Sequence, residues 1–365
     1  MTTSTRVFPS YRFAGTHREI GRQFGEACAE LIHRHRDLAL ARLQERRGVP
    51  PEQALASARL YRPFVRDHAP FFDDEIQGIA EGARISLAEA YLLQLRAELA
   101  TPVEPDHECT TFAILAEASS DGVPLIGQNA DLPDFYAEIG VVVEFVSDDA
   151  PAVLMLTPAG QVSYIGINER GLGVFANYLT CDGWRVGFPR YLLSRLALLH
   201  ERVDDAIAAV RRVPRASSRN LIMLDAHGTA ADLETTPTLD ARLDPVDGLL
   251  VHSNHYIASE LLGEERSTGR HLENSRVRLR RMRELLQAKR GQLSVALLQD
   301  ILRDRACYPD ALCRMPGDDE ESDIITFASV IAQPTRREFW VAVGPPNRHP
   351  YQHYGFSSAG GSDAR

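Results

Sequence analysis

The sequence predicts an α+β fold for its 365 residues. Two observations carry that reading. Apolar residues recur at the 3.6-residue period of helices up to about residue 105, and at the two-residue period of strands beyond it. The strand-like runs are also joined by hairpin signals rather than by alternating helices, which implies mainly antiparallel sheets with helices packed against them. A four-layer αββα sandwich fits this pattern, as do other α+β arrangements.

The elements follow in order. In HREIGRQFGEACAELIHRHRDLALARL, Ile20, Phe24, Cys28, Leu31 and Ile32 form one apolar stripe, with Cys28 as a small core residue. A second helix is expected from Pro51 and a third over 73–81. A fourth opens at Ser86, where Glu89 three residues on gives the spacing of a capping box. The runs TTFAILAEA and VPLIGQNA flank Ser119-Ser120-Asp121-Gly122 as a hairpin. Strand-like VVVEFV, AVLMLTPAG, VSYIGIN and GLGVFANY come next. PRYLLSRLALLHERVDDAIAAVRRV reads as one or two helices closed by Pro214, then NLIMLDA and AADLETT as a hairpin and LLVHSNHY as a buried strand. Helices over 274–289 and 294–303 precede a last hairpin, DIITFASVIAQ with REFWVAVGPP.

Composition narrows the function classes. Forty Lys+Arg against 50 Asp+Glu leave a net charge of −10, without the basic footprint of a nucleic-acid binder. The basic run from Arg276 to Arg290 reads as a solvated helix face. No stretch approaches the roughly 20 apolar residues of a membrane span, and the N-terminus has no apolar signal core. Cytoplasmic residence, with no membrane or nucleic-acid partner, is the expectation. Five scattered cysteines do not form a disulfide framework, and neither they nor His252 and His255 have metal-site spacing.

The sequence lacks a GxSxG elbow, a phosphate loop and a GxGxxG after a strand; GINERGLG reads as a turn between strands. Cys109, in HECTTFAIL, stands where the helical leader meets the first strand of the β-rich region. By itself it reads more readily as a buried inert thiol than as a nucleophile. If the Glu108–Cys109 bond were cut, however, one residue would carry both a thiol and a free α-amine. An α-amine titrates near 7.7–8.0, the range in which a general base works best near neutral pH. Nucleophile and base would then be one residue, and no separate catalytic histidine is needed.

Motifs follow Cys109-Thr110-Thr111 in a distinctive order: GQNAD ending at Asp131, GINERGLGVFANY, HSNHY and NSRVRL. The leader adds GTHREIGRQFGE, FFDDEIQGIAEGA and AYLLQLRAEL. In these segments the chain resembles, from about Gly15 to about Pro345, the acyl-coenzyme A:6-aminopenicillanic-acid (isopenicillin-N) acyltransferase family, peptidase family C45, among the N-terminal nucleophile (Ntn) hydrolases. The resemblance implies the αββα Ntn fold, self-cleavage between Glu108 and Cys109, a helical leader of residues 1–108 and a catalytic part of residues 109–365 that stay together as one unit.

It also implies site roles. Asp131 would hold the new α-amine. Asn254 would donate its amide to the oxyanion, an interaction worth about 3–4 kcal/mol in analogous sites. Asn177 would be a second oxyanion or orienting amide. Arg276 would favour the thiolate with help from Ser275. Candidate substrate contacts are Thr110, Thr111, Gln128, Tyr178 and Ser275. Gln128 stands where the bile acid and penicillin V branch carries an arginine, which counts against bile-salt hydrolysis.

The function implied is an autoprocessed cysteine amidohydrolase or acyltransferase for a small N-acyl amine or acyl thioester. No cofactor is implied, although acyl-coenzyme A is a candidate donor. The alternative from another class is a non-catalytic Ntn-fold binding or scaffolding protein.

Overall fold

The computed structural model describes residues 6–95, 97–99, 108–319 and 322–357. The leader contains strand β1 (Ser10–Gly15) and helices α1 (His17–Ala27), α2 (Ala29–Arg47), α3 (Pro51–Arg59), α4 (Arg62–His68), α5 (Pro70–Ala83) and α6 (Leu87–Leu92). Then follow β2 (Glu108–Ile114), β3 (Leu125–Pro133), α7 (Tyr136–Ile139), β4 (Gly140–Ser147), β5 (Val153–Pro158), β6 (Ile165–Asn168) and β7 (Gly173–Asn177). The remainder comprises α8 (Leu192–Ala197), α9 (Val203–Arg212), β8 (Arg219–Leu224), β9 (Ala230–Thr235), β10 (Asp240–Leu243), β11 (Leu249–His252), α10 (Gly269–Ala288), α11 (Val295–Ile301), β12 (Ile324–Gln333), β13 (Glu338–Val343) and β14 (Gln352–Gly355).

The strands form two sheets, β1-β4-β5-β6-β7-β8-β9-β10 and β11-β2-β3-β12-β13-β14. Every pairing is antiparallel except β1 with β4. Strand alternation sorts the side chains into layers. Val141, Val143 and Phe145 of β4 pack with the leader helices and with α8 and α9. Val142, one residue out of phase, faces the second sheet with Leu154, Ile222, Ala130 and Phe327. The far side of that sheet packs Phe112, Ile114 and Val251 against Leu279, Met282 and Leu286 of α10 and Leu298 of α11. The order is helices, sheet, sheet, helices: the four-layer αββα sandwich.

The expected hairpins form as β2–β3, β8–β9 and β12–β13. Ser86 caps α6 as the spacing predicts, with its Oγ accepting from Glu89 N (3.2 Å) while Glu89 Oε2 accepts from Ser86 N (2.7 Å). Two features depart from the sequence reading. The first helical stripe is divided at Cys28 (φ −112°, ψ 19°), with Ile20, Phe24, Cys28 and Ile32 still buried on one side. The leader is also not purely helical, because β1 extends the eight-stranded sheet at its edge.

The leader is held to the rest by more than β1. Glu75 of α5, fully buried, accepts from Arg195 of α8 (Nη2, 2.7 Å) and bonds His17 Nδ1 (2.6 Å). Within the leader, α1 and α5 touch backbone to backbone through Gly21, Gly25, Gly78 and Gly82. A Cβ on Gly78 would overlap the carbonyl of Arg18. Gly78→Ala is therefore expected to cost about 1–3 kcal/mol by overpacking, read as a lowered midpoint in denaturant melts. Alanine at Gly263, where an added Cβ meets nothing, is the control expected to stay within about 0.5 kcal/mol.

Candidate active site

Cys109 is buried on β2, with its side chain in the layer between the sheets. The chain is continuous here, and Glu108 pairs with Asp131, and Cys109 with Ala130, across β2–β3. Three side chains hold the Cys109 backbone. Asn254 Oδ1 accepts from Cys109 N at 2.6 Å. Asn177 Nδ2 (2.9 Å) and Arg278 Nη1 (2.7 Å) both donate to Cys109 O. Asn254 follows β11 in a turn fixed by Ser275 of α10, whose Oγ accepts from Asn254 N at 2.7 Å. The same hydroxyl bonds His255 Nδ1 at 2.7 Å. Burial first, and the charges of His252 and nearby arginines second, push His255 down to about 3, so its ring is neutral.

Arg278 reaches farthest. Beyond Cys109 O, it donates to Thr110 Oγ1 (2.9 Å), Asn254 Oδ1 (3.0 Å) and Asn274 Oδ1 (2.7 Å). Both groups facing Asn254 Oδ1 are donors, which fixes the amide orientation. Its Nδ2 consequently turns to Tyr178 O, at 3.0 Å.

Asp131 is fully buried. Its Oδ1 accepts from Thr326 Oγ1 at 2.6 Å, while Oδ2 has no hydrogen-bond partner among the described residues. Thr326 faces it because the β12–β3 register shifts between Thr326 and Ala328, a bulge of the kind that re-aims side chains beside sites. Burial raises the Asp131 carboxyl to about 7 against the opposing pull of Arg278 and Thr326. Burial, then the Asp131 charge, raises the Cys109 thiol to about 11, offset in part by the Asp131 N–H, the Gln128 side chain and Arg278. In the continuous chain the thiol is thus protonated at neutral pH. Among the described residues the arrangement offers a thiol and oriented donors but no group hydrogen-bonded to the thiol that could serve as its base.

The structure brings Cys109, Asp131, Asn254, Asn177 and Ser275 together, and Cys109, Asn177 and Tyr178 line one small cavity of about 20 Å³. Other expectations are corrected. Arg276 is exposed, two residues and about 200° around α10 from the buried Arg278, which occupies the place expected for it. Thr110 points to Arg278 on the sheet face opposite Cys109. Gln128 clamps Ala176 of β7 through its N–H (3.2 Å) and carbonyl (3.1 Å) and also bonds the Cys109 thiol, while Thr111 and Ser275 are not among the residues lining the cavity. In this state Asn254 offers Cys109 an acceptor rather than an oxyanion donor. The segment 100–107 before the expected cut lies outside the described residues. Sequence reading missed Arg278 and Thr326; the Asn274–Arg278 spacing of four, in phase with Leu279 and Met282, was the available signal for the first.

The family model described as acyl-coenzyme A:6-aminopenicillanic acid acyl-transferase matches residues 118–348, and the chain belongs to that family, whose chemistry is acyl transfer or amide hydrolysis. A curated relative, the 40 kDa form of acyl-coenzyme A:6-aminopenicillanic-acid-acyltransferase from Emericella nidulans, is 26% identical over 336 residues, covering 91% of this chain and 92% of the relative. Among solved structures, a conjugated bile acid hydrolase variant from Clostridium perfringens aligns with 13% identity and a TM-score of 0.47, over 68% of this chain and 97% of that one. Penicillin V acylase from Agrobacterium tumefaciens aligns with 14% identity and a TM-score of 0.42, over 64% and 83%. No helix among the described residues is long and apolar enough to cross a membrane.

Two outcomes follow from this geometry. Arg278→Gln is expected to slow the appearance of cleaved chain at least about tenfold, because it strips a charged donor from Cys109 O, whereas Arg276→Ala stays within about threefold; time-resolved intact mass reads both. The second outcome concerns pH. A carboxyl raised on folding adds stability that is full below its unfolded value and is lost as pH rises through its folded value of about 7. Uncleaved Cys109→Ala protein should therefore lose stability between about pH 4 and about pH 7. Adding Asp131→Asn should flatten that slope, leaving the parallel contribution of Asp232, also raised to about 7 by burial. An unchanged slope on adding Asp131→Asn would contradict the assignment.

Proposed function

We propose that the chain is an autoprocessed cysteine Ntn amidohydrolase or acyltransferase. The observation that carries the reading is the pairing of Cys109 with a buried carboxylate, Asp131, that keeps one unfilled acceptor directly across the strand pair from Glu108. An α-amine created at residue 109 would supply the missing donor, and Asp131 would stabilise it once it has taken the thiol proton.

In the first reaction the Cys109 sulfur attacks the carbonyl carbon of Glu108 as its proton leaves. The Glu108–Cys109 C–N bond breaks, the nitrogen takes a proton, and the acyl group sits on sulfur as a thioester. Water then hydrolyses the thioester, giving the Glu108 carboxylate and a free thiol. The liberated α-amine, held by Asp131 and by Asn254 Oδ1, thereafter serves as the base. In the second reaction the thiol gives its proton to that amine and attacks an N-acyl amine or acyl thioester. The amine or thiol leaves with the proton, and water or an incoming amine resolves the acyl-enzyme on Cys109. Asn177 Nδ2 and Asn254 Nδ2, which bond Cys109 O and Tyr178 O in the uncleaved chain, are assigned as the oxyanion donors.

The cut would leave residues 1–108 and 109–365 associated, because β1, the Glu75–Arg195 pair and the shared helix–sheet core all cross it. The donor class includes acyl-coenzyme A, and no metal or cofactor enters the steps above.

Intact mass of purified protein is expected to show two fragments divided before Cys109, and Cys109→Ala a single inactive chain. Fully active, uncleaved wild-type protein would falsify the proposal. Adding an amine during turnover separates the two resolutions: acylated amine marks a transferase, unchanged acid output a hydrolase.

A further inference from the structure

The cavity that holds Cys109 is also walled by Arg190 and Arg219, with Tyr164, Tyr178 and Tyr191 beside them. Both arginines are almost wholly buried, in a chain whose overall charge is −10. Both guanidinium groups lie over the ring of Tyr191, with Cζ 4.9 Å (Arg190) and 4.7 Å (Arg219) from its centroid, and Arg190 also lies 4.6 Å from the Tyr178 centroid. Hydrogen bonds fix their planes: Arg190 Nη2 donates to Tyr191 OH (3.1 Å), and Arg219 Nη2 to Ser194 Oγ (3.2 Å). A planar guanidinium held on an aromatic face presents a preset fork, the geometry that suits a carboxylate.

A carboxylate already approaches one of them, and it comes from the leader. Glu98, whose side chain is 1% exposed, sets Oε2 3.7 Å from Arg190 Nε. Its Oε1 accepts from Arg190 N and Ser217 Oγ, each at 3.1 Å. Glu98 lies ten residues before Glu108, on the leader side of the expected cut. The uncleaved chain thus supplies, from a segment that gains a free end on cleavage, the chemical group the arginines are shaped to take.

We infer that Arg190 and Arg219 form an anion subsite of the Cys109 cavity that takes a carboxylate carried by the substrate, and that Glu98 occupies part of this subsite in the uncleaved chain. The inference rests on the functional reading above and adds to it the substrate class: N-acyl amines or acyl thioesters bearing a carboxylate within reach of the scissile bond. It also gives the leader a role, since a competing internal carboxylate bars anionic substrate from a site whose thiol has no base.

The test uses processed protein and two matched substrate pairs. Glutaryl-p-nitroanilide against pentanoyl-p-nitroanilide places the charge on the acyl side; N-pentanoylglycine against N-pentanoylglycinamide places it on the amine side. In one pair the charged member is expected to have the higher kcat/KM by roughly 10- to 100-fold, mostly through KM. Arg190→Gln and Arg219→Gln should each bring that ratio towards one, with lysine variants keeping part of it. General damage to the fold would lower both members and leave the ratio intact. Equal or reversed preference in both pairs, or a ratio untouched by both variants, overturns the subsite.

If no member acylates Cys109, the functional reading fails separately, and the subsite is then decided by calorimetric titration with glutarate. Binding to the processed wild type that is lost in Arg219→Gln supports it, and no binding overturns it. For Glu98, uncleaved Cys109→Ala should bind glutarate at least about tenfold more weakly than processed protein, and equal affinity overturns the occupancy.

Discussion

One buried guanidinium organises this site. Arg278 spans the carbonyl of Cys109, the hydroxyl of Thr110, the amide oxygen of Asn254 and the amide oxygen of Asn274, so that a single side chain ties α10 to β2 and to the turn after β11. Removing an arginine from water costs several kcal/mol unless its hydrogen bonds are met and a counter-charge is near. The hydrogen bonds are met by these oxygens, and Asp131 is the counter-charge that resists the downward pull of burial on Arg278. Asp131 in turn depends on the bulge in β12 that brings Thr326 to it.

The electrostatic state of the continuous chain is one of suspension. The thiol is held up by burial and by the neighbouring carboxylate, and the carboxylate is itself held up by burial. The backbone around them is nonetheless in place, with Cys109 N held by Asn254 and Cys109 O by Asn177 and Arg278, three side chains from three different elements. Such preorganisation needs no rearrangement when a base arrives. An amine formed within the site changes its protonation, not its shape.

Much of this was legible in the sequence. Period-two runs and hairpin turns gave the sheets, and the order of motifs brought Cys109, Asp131, Asn177 and Asn254 into one place. The errors have specific causes. In the run after Asn274, arginines at 276, 278, 280, 281 and 283 are alike as letters, and only the helical face distinguishes the buried one. Thr110 was misplaced because strand alternation sends it to the opposite side from Cys109. Strand β1 is short and carries a single fully buried residue, Phe13, so its periodicity is too weak to read. The cavity wall was unreadable in principle: Glu98, Arg190 and Arg219 are far apart in the chain and meet only through the fold.

The parallel pairing of β1 with β4 has a consequence for how the molecule can be made. The eight-stranded sheet is woven from both sides of the Glu108–Cys109 bond, and the first strand shields what would otherwise be a raw margin. Residues 109–365 produced alone would present β4 with unsatisfied amides and carbonyls along one side, next to the greasy surface that α1 and α5 normally cover. That is a template for sticking to other chains. A scission at that bond, as proposed above, would therefore have to follow folding, as a finishing step on an already assembled body.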